Sequence, residues 1–362
     1  MDKIKRFIEC LLPITACNLK CSYCYVIQRD NRTNKMAEMK YTPEQIGLAT
    51  KKDRWGGCCY FSICGAGETT IQKNIDEIAY NILKNGHYVN ITTNGTVTKQ
   101  LEKILSTCKE YVTHLHFCFS FHYIELMNHN LVDVFFKNFR LIKNSGASIM
   151  IQFNMCDEYL PYLNEMKDLC IRETGAAPQI AATREEEKNL EKIKLLTNYT
   201  KEEYIGFGKP FDSPLFYYTM KNFNVKRKEF CYAGDWAMNL NLGTGVMRRC
   251  YCSYIRQDVF KKPSEKIRFL AIGHACGSPF CMNSSHFMSL GVIPEVESPS
   301  YAALRNRNEG EWYSDEMNEF LSSKLYDSNE EYSFPKKILC DCVGIADTFV
   351  RKTYSIYRKI KG

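Results

Sequence analysis

Residues 15–25 read Thr15-Ala16-Cys17-Asn18-Leu19-Lys20-Cys21-Ser22-Tyr23-Cys24-Tyr25, three cysteines spaced C-x3-C-x2-C just past a short apolar run. Three thiolates on one tight loop can hold three corners of a four-iron, four-sulfur (4Fe–4S) cube and leave the fourth iron without a protein ligand. An iron left open in this way is a place for chemistry. A structural zinc site instead takes four ligands, usually as two C-x2-C halves, whereas this loop supplies three at unequal spacing. Ile14-Thr15-Ala16-Cys17 has the form of a lipoprotein cleavage box, but Glu9 and Pro13 break the apolar run before it. Asn18, Lys20 and Ser22 between the cysteines argue against a buried apolar strand.

The loop resembles the signature of the radical S-adenosylmethionine (radical SAM) enzymes, and the aromatic Tyr23 before the third cysteine fits the same pattern. The resemblance implies that Cys17, Cys21 and Cys24 carry a 4Fe–4S cluster whose open iron chelates the amino and carboxylate groups of SAM. It further implies reductive cleavage of SAM to a 5′-deoxyadenosyl radical that removes hydrogen from a substrate carbon.

Downstream, residues 58–64, Cys58-Cys59-Tyr60-Phe61-Ser62-Ile63-Cys64, form a short continuous apolar run, the mark of a strand buried on both faces. It stops at Gly65-Ala66-Gly67-Glu68-Thr69, which leads into a helix with apolar positions Ile71, Ile75, Ile78, Ile82 and Leu83. A glycine-rich turn lets a ligand approach the backbone, and a helix N-terminus favours a carboxylate. Placed one strand after the cysteine loop, the turn resembles the family's Gly-Gly-Glu segment, which implies that Glu68 binds the amino group of SAM. Ala66 and Thr69 stand where the family more often has glycine and proline, and neither change removes the carboxylate. A tight turn whose acid only favours a helix start is the other reading.

Strand and helix alternate on both sides of this point. A strand over residues 5–14 precedes the cysteine loop, and Thr42-Pro43 starts a helix. Strands are expected over 88–93, 112–121, 148–155, 178–182 and 204–207, with helices over 97–105, 134–142, 159–171 and a glutamate-rich one from Arg184. Such alternation requires a parallel sheet with helical crossovers, so the fold class is α/β. The count of about six repeats resembles the family's open, partial (β/α)6 barrel. At strand ends the resemblance places Asn94, Ser120, Gln152 and Asn154 among the SAM contacts, together with Tyr23, Gly65, Ala66 and Gly67. His114, His116 and His122 alternate along one strand, and with no carboxylate beside them they read as packed or solvent-edge residues.

Cysteine returns after Cys170 at Cys231, Cys250, Cys252, Cys276, Cys281, Cys340 and Cys342. Residues 239–242 and the turn Gly243-Thr244-Gly245 predict a hairpin that brings Cys231 and Cys250 together. The C-x13-G-x4-C spacing from Cys231 resembles the start of the family's auxiliary-cluster domains, called SPASM and twitch. That resemblance implies one auxiliary 4Fe–4S cluster on Cys231, Cys250, Cys276 and Cys281. Cys252 could replace a member, Cys340 or Cys342 could add one from the tail, and a zinc ribbon satisfies the same four thiolates. Tyr251 stands where sulfatase-maturing relatives carry a proton-accepting aspartate, which leaves Asp235 as a substitute base or a capping residue. The organisation expected is a core barrel over 1–208, a SPASM/twitch-like domain over 209–290 and a helical C-terminal segment over 291–362.

Composition sets outer bounds. In 362 residues, 18 cysteines without a secretory segment suggest metal, redox chemistry or buried thiols rather than disulfides. No run reaches membrane-span length, so no membrane is expected and a cytoplasmic protein is. The net charge of +7 is scattered, so nucleic acid is not expected, and an acidic electron donor would suit it. A low-potential donor such as flavodoxin or ferredoxin is implied by the resemblance. The substrate expected is a peptide, a protein side chain or a small molecule, with oxidation or cross-linking as the outcome. A non-catalytic zinc or iron–sulfur scaffold binding a protein partner is the competing reading.

Overall fold

A computed structural model describes residues 2–185, 193–274, 276, 278, 281 and 284–361. Its sheet has nine strands in the order β6-β5-β4-β3-β2-β1-β7-β8-β9. They are β1 (Arg6–Leu12), β2 (Cys59–Gly65), β3 (Tyr88–Thr93), β4 (Leu115–Ser120), β5 (Ser148–Met155), β6 (Gln179–Ala182), β7 (Ala237–Asn241), β8 (Val246–Arg248) and β9 (Arg256–Asp258). The first six are parallel in chain order, as strands joined by helical crossovers must be. Helices Ile75–Leu83, Thr98–Thr107, Val132–Asn144 and Leu163–Thr174 make four of the crossovers and bury Ile78, Leu101, Phe139 and Met166. β6 pairs only with β5, so the barrel stays open. Beyond β1, β7 joins in parallel and continues into the antiparallel strands β8 and β9. The predicted hairpin is β7–β8, and through it the sheet runs unbroken past the first six strands.

Several expected elements change where local chemistry outweighs pattern. Residues 204–207 are not a strand: helix Lys201–Gly208 covers them, started by a capping box in which the Thr200 hydroxyl accepts the Glu203 N–H and Glu203 accepts the Thr200 N–H. Residues 112–114 belong to the 3-10 helix Lys109–His114, so β4 begins at Leu115. Thr69–Ile71 is a separate 3-10 turn before the helix Ile75–Leu83. Pro161 lies within the 3-10 segment Asp157–Tyr162, and the α-helix starts at Leu163. Thr42 does cap its helix, with Gln45 completing the box. Arg184 bridges to Leu195, and most of the glutamate-rich stretch lies outside the described residues. Asp315–Ser322 and the long Phe334–Lys361 are helices, within the expected helical C-terminal segment.

One register level crosses the sheet as a polar row, Asn239, Glu9, Ser62, Asn90, His116 and Ser148. Within it Asn239 donates to Glu9 at 2.9 Å and Asn90 to Ser62 at 3.0 Å. Two residues nearer the strand N-termini the same face is aromatic, with Phe7, Tyr60 and Tyr88, and the C-terminal segment packs onto it. Tyr88 stacks on Phe320 at 3.8 Å and Tyr60 meets Tyr301 at 5.7 Å. The N-terminal end of the barrel is thereby plugged, and the free end is the one at the strand C-termini. Among the described residues no helix is long and apolar enough to cross a membrane.

Two buried histidines are held neutral. Burial pushes His87 down to about 4 and His116 to about 3. The Cys59 N–H donates to His87 Nδ1, so Nε2 carries the proton toward the Thr50 carbonyl. The unfolded chain protonates these groups near pH 6.5 while the fold resists, so stability falls as pH drops from there toward 4. Denaturation midpoints at pH 7 and pH 5 are expected to show a loss that His87→Asn reduces.

Asp235 lies just before β7. Its carboxylate pairs with Arg6 at 2.7 Å and accepts the Tyr332 hydroxyl, and both ion-pair partners are nearly buried. Removing one member of such a pair strands the other charge, so Asp235→Ala is expected to cost about 3–5 kcal/mol in urea denaturation. A variant of unchanged stability would contradict this structural role.

Candidate active site

The cysteine loop leaves β1 at the strand C-terminal end, where loops of parallel sheets carry function. A set of hydrogen bonds fixes it. The Asn94 side chain donates to Asn18 at 2.8 Å, and Asn18 donates to Thr96 at 2.8 Å. The Lys20 N–H reaches Glu125 at 2.5 Å, and the Ser22 hydroxyl reaches Glu158 at 2.7 Å. The Tyr23 hydroxyl lies 2.6 Å from His122 Nδ1 and 3.0 Å from the Tyr159 hydroxyl. Arg32 donates to the Cys17 carbonyl at 2.7 Å. Finally, the Gly67 and Glu68 N–H groups donate to the carbonyls of Ile14 and Ala16 at 2.6 and 2.8 Å.

Gly67 has a further task beside lining the cavity. A Cβ there would stand 2.2 Å from the Ala16 oxygen, so the glycine admits the cysteine loop itself. Glu68 is buried and heavily engaged. Its Oε1 accepts the Thr70 N–H at 2.8 Å and the Thr70 and Thr93 hydroxyls at 2.6 Å each, and its Oε2 accepts the Asn94 N–H at 2.7 Å. A carboxylate offers about four acceptor sites, two per oxygen, so Oε2 keeps capacity for a further donor.

These residues enclose a cavity of about 310 Å³. Cys17, Cys21 and Cys24 line it, and so do Tyr23, Gly65, Ala66, Gly67, Glu68, Asn94, Ser120, Gln152 and Asn154. Every residue that the sequence assigned to the first cluster and to SAM therefore meets in one place. The cavity also takes in residues the sequence reading passed over, among them Arg32, Cys64, His122 and Arg184. His122, expected to be packed or at the solvent edge, lies just beyond the end of β4. Burial pushes the Cys21 thiol up to about 12 and raises Cys17, which the Leu19 N–H at 3.5 Å opposes. The bare Cys17 and Cys21 thiols hold their protons at neutral pH, and metal binding must displace them.

A second, smaller cavity of about 40 Å³ is lined by Cys231, Cys250, Cys252, Cys276 and Cys281, with Tyr251 at its rim. Cys340 is buried and Cys342 exposed, and neither lines it. Asp235 lines neither cavity. Among the described residues no three ligating side chains converge as tightly as a single ion demands.

An open parallel half-barrel with a three-cysteine loop at its C-terminal end is the arrangement to compare with known proteins. The model of the Radical SAM superfamily matches residues 11–160 of this chain. A probable GTP 3′,8-cyclase of Pyrobaculum aerophilum is 33% identical over 101 residues, 27% of this chain and 31% of that protein. Streptococcus suis SuiB shares the fold at a TM-score of 0.50 and 16% identity, over 72% of this chain and 64% of SuiB. A structure of anSMEcpe with bound AdoMet and Cp18Cys peptide matches at 0.50 and 13% identity, over 98% of both chains. The chain thus spans less than a third of the curated relative it matches and under two thirds of SuiB.

A radical SAM domain carries a 4Fe–4S cluster and SAM, and the larger cavity fits both by its donors. Three thiols from one loop face a carboxylate with spare acceptor capacity and several polar strand ends, in a space within the usual range for small-molecule sites. Gly67→Ala forces the cysteine loop off its docking surface. It is expected to lower stability by about 1–3 kcal/mol or more and to reduce iron uptake on anaerobic reconstitution, as read by iron analysis. Wild-type iron content in the variant would contradict the docking.

Proposed function

We propose that the protein is an enzyme that cleaves SAM reductively and uses the product to take hydrogen from a substrate carbon. The observation that carries this is the convergence of three loop thiols, Glu68 and four polar strand-end residues on one cavity at the open end of the barrel. When bound, the cluster supplies one electron to a carbon–sulfur bond of SAM and so yields the 5′-deoxyadenosyl radical. The residues of this chain bind and orient. Cys17, Cys21 and Cys24 hold three irons, and Glu68 Oε2 takes the amino group of SAM. Ser120, Gln152 and Asn154 face its ribose and carboxylate, while the Tyr23–His122 contact fixes the loop between them.

The second cavity makes this a two-centre enzyme in our reading, with a SPASM/twitch-like region around residues 231–281. Cys231, Cys276 and Cys281 each contribute a thiolate to an auxiliary centre, and the fourth comes from the Cys250–Cys252 pair. Such a centre near substrate accepts the electron left after hydrogen removal, which favours oxidation or cross-linking. The electron donor is a low-potential protein such as flavodoxin or ferredoxin, for which the positive net charge is suited. The substrate is a peptide, a protein side chain or a small molecule, and the protein works in the cytoplasm.

Reconstituted without oxygen and given SAM and dithionite, the wild type is expected to release 5′-deoxyadenosine, and Cys24→Ala to release none. Glu68→Gln removes a charge-assisted contact worth about 1.5–3 kcal/mol, so SAM affinity falls roughly tenfold or more. An iron-loaded wild type that leaves SAM intact would instead be the non-catalytic scaffold.

A further inference from the structure

Five thiols line the smaller cavity, one more than a four-thiolate centre takes. Cys250 and Cys252 are separated by a single residue just after β8, and the structure distinguishes them. Cys252 is buried at 8% exposure, whereas Cys250 is half-exposed beside the exposed Tyr251. Cys252 Sγ lies 3.9 Å from Cys276 Sγ.

An independent observation comes from Arg249. Its side chain is 4% exposed, and Nη2 donates to the Ala271 carbonyl at 2.5 Å. Its Nε and Nη1 are buried and find no hydrogen-bond partner among the described residues. Buried donors in native proteins are nearly always satisfied. In the chain Arg249 immediately precedes Cys250 and stands three residues before Cys252. Two unmet donors and a positive charge beside a thiol group are what the sulfurs of an anionic metal–thiolate centre require, and such hydrogen bonds tune metal sites.

We infer that Cys252, and not Cys250, completes the second centre, whose ligands are Cys231, Cys252, Cys276 and Cys281, with Arg249 donating to their sulfurs. The inference rests on the proposal that a second metal centre exists and names its fourth ligand. On binding, each of the four thiols gives its proton to solvent and bonds the metal as thiolate, with no change of oxidation state required of the protein. Cys250 is left as a free thiol at the rim.

The test uses the full chain, reconstituted without oxygen, as wild type, Cys250→Ala and Cys252→Ala. Iron, acid-labile sulfide and zinc are measured per chain, and the response of the reduced first cluster to SAM is recorded in each sample as a control for folding. Cys252→Ala is expected to lose the second centre's metal and keep the SAM-responsive signal, while Cys250→Ala keeps both. Loss of the second centre in Cys250→Ala, alone or together with Cys252→Ala, overturns the inference. A wild type with metal at the first site only refutes the second centre itself, a different failure. Should Cys252→Ala not fold, alkylation of the native wild type decides. Cys252 is expected to become reactive with iodoacetamide only after the metal is chelated, with Cys250 labelled equally before and after; the reverse pattern overturns the assignment.

Discussion

The Ala16 carbonyl accepts the Glu68 N–H at 2.8 Å, and any side chain on Gly67 would collide with that same oxygen. Two loops from neighbouring strands are thereby pressed backbone to backbone, one carrying the three cysteines and the other the buried carboxylate. Their distance is set by hydrogen bonds between main chains, which side-chain motion cannot relax. Glu68 then extends the constraint sideways, accepting from Thr70 on its own turn and from Thr93 and Asn94 at the end of β3. Asn94 returns it to the cysteine loop through Asn18. A closed circuit of hydrogen bonds thus fixes where the thiols stand relative to the carboxylate before any cofactor is present, which is the preorganisation that a reactive site needs.

The rest of the chain keeps that end of the barrel open. Aromatic rings from the C-terminal segment fill the opposite end, meeting Tyr60 edge-on and stacking on Tyr88. Above them lies the polar row from Asn239 to Ser148, in which Asn90 Oδ1, Asn239 Oδ1 and His116 Nε2 are buried without a partner among the described residues. Buried polar atoms in this position are where ordered water is held. The interior therefore grades along the strands from aromatic plug through polar row to cavity. β7 carries the same sheet past β1, so the region with the second thiol group is anchored by main-chain hydrogen bonds to the strand that feeds the first.

Much of this was legible in the residues, and the exceptions share a cause. The cysteine loop, the turn at Glu68 and the polar ends of β3, β4 and β5 announce themselves because chemistry-bearing side chains fall where strands stop. Their meeting in a single cavity follows from parallel alternation alone. What stayed hidden depends on long-range contacts. Gly67 looks like a ligand-facing glycine, and its further task shows only once the Ala16 carbonyl is seen above it. Asp235 looks like a spare base until Arg6, 229 positions earlier, is found beside it. His122 and Arg32 carry no local signal of their place in the cavity. The helix Lys201–Gly208 is a different case, because its capping box was present in Thr200 and Glu203 and was outweighed by the expectation of one more strand. The choice between Cys250 and Cys252 turns on burial and on the neighbouring guanidinium, neither of which spacing can show.

The central claim is that an iron held by Cys17, Cys21 and Cys24 keeps a coordination position that SAM occupies. Electron paramagnetic resonance of the dithionite-reduced protein, recorded with and without SAM carrying a nitrogen-15 label on its amino group, addresses it directly. The account predicts a 4Fe–4S signal that shifts on addition of SAM and couples to the labelled nitrogen. A signal that is unchanged by SAM, or a loop that fills with zinc in place of the cube, would contradict it.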